Sequence, residues 1–145
     1  MMIKFDFLTK ILKKVHFFLK RKYHELIIFN FGNKEKVFKE IYKNNYWGSA
    51  ESLSGPGSDM KNSHNIRIQL PNIISKYNIK KIIDVPCGDF YWMKTIINSM
   101  KVHYNGYDIV QDLIDKNKKL FTSENINFDK LDITKQHLPK SDLII

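Results

Sequence analysis

With 145 residues, 43% of them hydrophobic, the chain is long enough for one ordinary domain and carries no sign of a second core. Its single cysteine, Cys87, excludes an internal disulfide, and five scattered histidines without a cysteine pair give no metal-ligand spacing, so the chain reads as cytoplasmic and metal-free. The formal charge of +9 sits mostly in residues 1–50, where 11 Lys and Arg face four acids, while residues 51–145 carry 13 against 11; a basic arm away from any site argues against a nucleic-acid substrate.

Taken in order, residues 3–19 place Ile3, Phe7, Leu8, Ile11, Leu12, Val15, Phe18 and Leu19 at helical spacing, with lysines largely on the opposite side. The lysines break the apolar run before it could cross a bilayer, and no small-residue cleavage site follows. Two readings stay open for residues 3–22: a helix lying peripherally on an anionic membrane, or one packed on its own domain or a partner subunit. A second helix is predicted over Lys34–Lys43, with Val37, Phe38, Ile41 and Tyr42 inward. Residues Trp47 to Ser58, with three glycines and four serines, cannot form a regular element. Ile66, Leu70, Ile73, Ile74 and Tyr77 return to helical spacing, and Pro71 is expected to kink that helix or to start a second segment.

Beyond this point strands and helices alternate. The pattern predicts a strand over Ile82–Val85, a helix from about Tyr91 to Met100, a strand over Val102–Ile109 and a helix over Gln111–Phe121, then strands over Ile126–Asp132 and from Leu143 onward. Such alternation implies parallel βαβ units, hence an α/β fold: a Rossmann-like, mostly parallel sheet with flanking helices over residues 46–145, preceded by a helical extension over 1–45. The sheet is expected to be incomplete, because the chain stops inside a buried-looking strand. That reads as the N-terminal part of a longer protein or as a truncated product.

Three acids, Asp84, Asp108 and Asp132, close successive strand candidates, and in an open α/β sheet such ends line one crevice. The turn after the first strand, Asp84-Val85-Pro86-Cys87-Gly88-Asp89-Phe90, is not a dinucleotide fingerprint. G-x-G-x-x-G presents amides to a pyrophosphate, whereas Pro86 removes an N–H and Asp89 adds a negative charge. The same geometry suits a phosphate-free ligand with a cationic end, as in S-adenosylmethionine, which carries a sulfonium and an ammonium. An Asp in such a place can equally be a turn residue or helix cap, and Asp89 and Asp112 fit that description. Cys87, with no Arg at phosphatase-loop spacing, reads as a small buried turn residue rather than a nucleophile.

The segment I-I-D-V-P-C-G-D-F-Y-W-M resembles the first motif of class I SAM-dependent methyltransferases, and in particular a bacterial group whose turn reads D-x-P-C-G-D-F-x-W-M. The resemblance extends over W-G-S-x-E-S-x-S-G-x-G-S upstream and G-x-D-I-V, L-D-I-T and L-P-x-x-D-L-I downstream, from Trp47 to Ile145. It implies S-adenosylmethionine as cofactor, with Asp84, Pro86, Cys87 and Gly88 forming the turn at its methionine end. Asp108 would take the ribose hydroxyls with Ile109 against the adenine, and Asp132 the adenine amino group with the Ile133 backbone on the ring. It leaves the Trp47–Ser58 loop as either a linker or a lid over the cofactor, the lid placing Trp47 at the site and Arg67 on the methionine carboxylate. Pro86 and Phe90 stand where the commoner D-x-G-x-G-x-G form has glycines. The implied reaction is in-line methyl transfer to an O or N acceptor, a glycan or small molecule in preference to nucleic acid. The alternative is a truncated, non-catalytic binding or membrane-associated module. The general base would lie beyond the fourth strand and cannot be read. Asp108 itself is expected at the crevice rather than in the core.

Overall fold

The computed structural model describes residues 33–145 together with Val15, Leu19 and Lys22. The rest of the amphipathic stretch predicted over residues 3–22 lies outside the described residues. Phe38–Ile145 clusters as one compact unit.

Helix α1 (Lys34–Lys43) occupies the predicted span. Asn33 caps it, its Oδ1 accepting the Glu35 N–H at 3.0 Å, and Ile41 is buried. Helix α2 (His64–Tyr77) buries Leu70 and Ile74 and ends at Asn78, whose left-handed backbone (φ 51°) lets its N–H reach back to the Ile74 carbonyl. Pro71 does not start a second segment: one helix runs through it. A proline removes a single ladder bond, and Leu70 and Ile74 are anchored in the core on either side.

Strands β1 (Lys81–Asp84), β2 (His103–Asp108), β3 (Ile126–Lys130) and β4 (Leu143–Ile144) form one parallel sheet in the order β3-β2-β1-β4. Helix α3 (Gln111–Phe121) connects β2 to β3. This is the Rossmann-like arrangement expected from the alternating pattern. The order reverses at β1, so the carboxyl ends of β1 and its neighbours form the switch-point crevice where ligands of open α/β sheets sit.

The helix predicted over Tyr91–Met100 is replaced by two short 3₁₀ turns, Met93–Thr95 and Ile97–Ser99. Thr95 and Ser99 donate their hydroxyls to the carbonyls three residues back, of Trp92 (2.7 Å) and Ile96 (2.6 Å), and the run Thr95-Ile96-Ile97 is β-branched throughout. Both features disfavour a regular α-helix. Met93 and Ile97 are nevertheless buried, so the segment covers the sheet as a helix would.

The core gathers on one face of the sheet, around Ile82, Tyr104, Ile126 and Phe128, with Phe90, Met93, Ile97 and Ile114 packed over it. Gly106 is required there. A Cβ at this position would come within 2.7 Å of Phe128 Cδ1 and 3.0 Å of Tyr104 Cε1, so the absent side chain makes room for two aromatic rings.

Candidate functional site

Asp84 is the last residue of β1 and is buried. Its Oδ2 accepts a hydrogen bond from the Tyr104 hydroxyl at 2.6 Å, and among the described residues no Lys, Arg or His pairs with it. Burial pushes its carboxyl up to about 7, opposed by the Tyr104 bond and assisted by the nearby charge of Asp108. Between roughly pH 4 and 7 the folded chain therefore keeps a proton that the unfolded chain releases, and stability falls as pH climbs through that window.

Asp108 closes β2, as predicted, but is 2% exposed rather than open at the crevice. The reason is structural demand: its Oδ2 accepts the Gly88 N–H (3.2 Å) and its Oδ1 the Val110 N–H (3.0 Å), so one carboxylate ties the turn after β1 to the start of α3. Burial raises its pKa while those amides lower it.

The turn from Val85 to Phe90 is held from several sides. Its Cys87 N–H donates to the Tyr107 carbonyl (2.8 Å), and the Gly88 carbonyl accepts from the buried Asn117 amide of α3 (2.8 Å). Cys87 is buried, as expected, and burial next to Asp84 and Asp108 pushes its thiol far up, which disarms it as a nucleophile. Gly88 and Phe90 both have positive φ, 56° and 58°. The residue standing where the commoner motif has its third glycine thus keeps a left-handed backbone, and its ring is buried against Tyr104, Phe121 and Phe128 at centroid distances of 5.0–5.3 Å.

Asp89 neither caps a helix nor faces a phosphate. Its carboxylate accepts the Ser52 hydroxyl (2.9 and 3.1 Å), the Leu53 N–H (2.7 Å) and the Ser54 hydroxyl (2.9 Å), while its own N–H donates to Ser54 Oγ (2.8 Å). The loop from Trp47 to Ser58 is clamped onto the turn by these bonds, and its reading as an unstructured linker is set aside. A Cβ on Gly88 would lie 2.0 Å from Ser54 Oγ. The loop is braced internally as well: Ser49 donates to Asp59 and accepts the Glu51 and Ser52 N–H groups, and the Met60 N–H donates to Glu51 at 2.8 Å. Trp47 packs under Gly55, edge-on to Tyr42 at 5.3 Å, and its ring serves the loop's packing. Tyr42 brings its hydroxyl to the same place. Burial, with Asp108 and Asp89 close by, holds that phenol well above its ordinary value.

Arg67 is half-buried on α2, its Nε donating to Ser63 (3.3 Å) and its Nη2 to the Met60 carbonyl (2.7 Å), with no carboxylate partner among the described residues. Asp132 lies two residues past the end of β3, where its Oδ1 accepts the Thr134 N–H (3.0 Å) and hydroxyl (2.6 Å), forming an Asx turn. Ile109 is half-buried beside Asp108, Pro86 is exposed, and Ile133 is 52% exposed.

Sequence reasoning missed Tyr104, Asn117 and the serine clamp. The signals were present: serines two apart in an extended segment present both hydroxyls to one side, and a tyrosine two residues before a glycine can run its ring along the strand beneath it. A cavity of about 470 Å³ is lined by Asn105 and Tyr107 of β2, Asn127 and Asp129 of β3 and Lys118 of α3, and by none of Asp84, Asp108 and Asp132.

The crevice thus combines two buried carboxylates with a turn whose glycine amide is already taken, while Arg67 bonds to Ser63 and Met60 and shares no hydrogen bond with either carboxylate. The N–H groups of Cys87, Gly88, Asp89 and Phe90 are all bonded within the chain, which leaves no row of free amides for a pyrophosphate. No protein-family model matches the chain, and no curated protein is detectably similar to it. Among solved structures it is similar to human N-acetylserotonin methyltransferase in complex with SAM, at 16% identity and a TM-score of 0.41 over 74% of this chain and 37% of that one. It is also similar to the plantazolicin methyltransferase BamL in complex with a triazolic desmethylPZN analogue and SAH, at 20% identity and a TM-score of 0.42 over 77% of this chain and 48% of that one. The chain therefore spans less than half the length of either.

Proposed function

We propose that this chain is the cofactor-binding part of a SAM-dependent methyltransferase acting on an O or N nucleophile of a small molecule or glycan. The observation that carries the reading is the chemistry of the crevice: Asp84 is buried with no cationic side chain paired to it among the described residues, and the Gly88 amide that a phosphate would need is occupied by Asp108. In this reading Asp84 and the Cys87-Gly88 backbone hold the ammonium end, Arg67 the carboxylate, Asp108 the ribose hydroxyls and Asp132 the adenine amine. Each Asp108 oxygen keeps a second lone pair beyond its amide bond, so two hydroxyls have acceptors there. When bound, S-adenosylmethionine supplies an activated methyl group. The residues here position it and keep water out, which is the main source of rate in such transfers.

Titration calorimetry with S-adenosylmethionine, S-adenosylhomocysteine and NAD tests the assignment. Binding of the first two without NAD supports it, and NAD binding alone overturns it. Asp108→Asn should weaken the sulfonium cofactor at least tenfold, since a hydrogen bond to a charged group is worth about 1.5–3 kcal/mol. Because Asp108 also ties Gly88 to Val110, the same change should lower the melting temperature. The control is Asp112→Asn, which breaks only an exposed pair with Lys39 (2.7 Å) and should alter neither quantity appreciably. Equal, small effects at both positions would mean that the cofactor site is elsewhere.

A further inference from the structure

We propose that Tyr104, the second residue of β2, is a positioning residue that holds Asp84 ready to receive the cationic end of the ligand. The inference rests on the cofactor reading above and goes past it, because neither the strand-end pattern nor the motif assigns Tyr104 a part.

The geometry is specific. Tyr104 lies between Ile82 and Ile126 in the sheet and is wholly buried, yet its hydroxyl emerges at the end of β1, 2.6 Å from Asp84 Oδ2. It gets there by running its ring past Gly106, where a Cβ would be 3.0 Å from Tyr104 Cε1. Gly106 is also the residue paired with Asp84 across the strands, so the space it leaves is what joins the two side chains. Tyr104 donates to one carboxylate oxygen, and Oδ1 has no partner among the described residues. A phenol donating to Oδ2 fixes the carboxylate plane and favours its charged form without neutralising it, as a lysine would. The free oxygen is thereby left for an incoming ammonium.

The other ionisable groups facing Asp84 are Asp108 from the end of β2, which opposes its charge, and Cys87 from the turn, whose raised thiol stays neutral; β4 brings only Leu143 and Ile144. With a midpoint near 7 for Asp84, ligand affinity should fall about tenfold between pH 8 and pH 6, because the protonated acid offers no charge to an ammonium. Tyr104→Phe keeps the ring and removes the donor, so the ionised form loses support and the midpoint should move up.

The test has two readouts. Carbon NMR of aspartate-labelled protein follows the Asp84 carboxyl through pH without ligand, its signal assigned by Asp84→Asn, and calorimetry with S-adenosylhomocysteine, which keeps the ammonium, follows affinity through the same range. In Tyr104→Phe both midpoints should rise together, with affinity at pH 7 falling about fivefold for the first pH unit of rise and about tenfold for each unit after it. Incorporation of 3-fluorotyrosine, a stronger donor of the same shape, should lower the Asp84 midpoint and keeps the question answerable if the phenylalanine variant does not fold. An Asp84 midpoint unchanged in both variants overturns the inference whether or not the ligand binds. A shifted midpoint with no binding at any pH supports the hold of Tyr104 on Asp84 and overturns the cofactor reading instead.

Discussion

Phe90→Ala should destabilise the domain by about 3–5 kcal/mol in urea or thermal unfolding, the loss typical of a fully buried aromatic truncated to alanine. Phe90 is 2% exposed and sits where three aromatic rings converge, so its removal leaves a space that Tyr104, Phe121 and Phe128 cannot all close. The backbone adds a second, sharper expectation. At φ 58° a Cβ-bearing residue is strained by about 1–2 kcal/mol, and both Phe and Ala bear that cost while Gly does not. Phe90→Gly should therefore be less damaging than Phe90→Ala by about 1 kcal/mol, the reverse of the usual order. A glycine variant clearly less stable than the alanine variant would show that the left-handed backbone carries no strain here.

Asp89→Ala should release the Ser52–Ser54 loop and cost about 2–4 kcal/mol. Three donors converge on this carboxylate, each bond to a charged acceptor being worth about 1.5–3 kcal/mol, and partial exposure keeps the total below their sum. The check is local: hydrogen exchange at the Leu53 amide, which donates to Asp89 at 2.7 Å, should accelerate strongly, while the Tyr104 amide in the sheet should change only as far as global stability does. Asp89→Asn keeps the size and accepts through one oxygen only, so it should fall between. Unchanged protection at Leu53 in the alanine variant would mean that the serines and Gly88 hold the loop by packing alone.

Much of the architecture was legible because it depends on period and punctuation. The limits of α1 and α3 and the parallel strands follow from apolar spacing, and the strand-end acids from their place after apolar runs. The misreadings have a common cause in hydrogen bonds that sequence spacing does not reveal. Thr95 and Ser99 bond backwards to their own chain and tighten a predicted helix into 3₁₀ turns. Asp89 looks like a cap, yet its partners are 35–37 residues upstream. Asp108 looks like a surface acid awaiting a ligand, yet two backbone amides draw it inward. A carboxylate's position along a strand can be read from one dimension, but its partners require the fold.

The clamp over the turn also bears on how any ligand measurement will look. Ser54 lies against Gly88 and Asp108 is 2% exposed, so a ligand that needs Asp108 would bind only those copies in which that surface has opened. The measured dissociation constant is then the intrinsic one divided by that fraction, and every 1.4 kcal/mol by which the closed arrangement is favoured weakens apparent binding about tenfold. Modest affinity at this crevice would be compatible with a well-matched site behind a shut door, and variants that loosen Ser52 and Ser54 would bind more tightly while folding less stably.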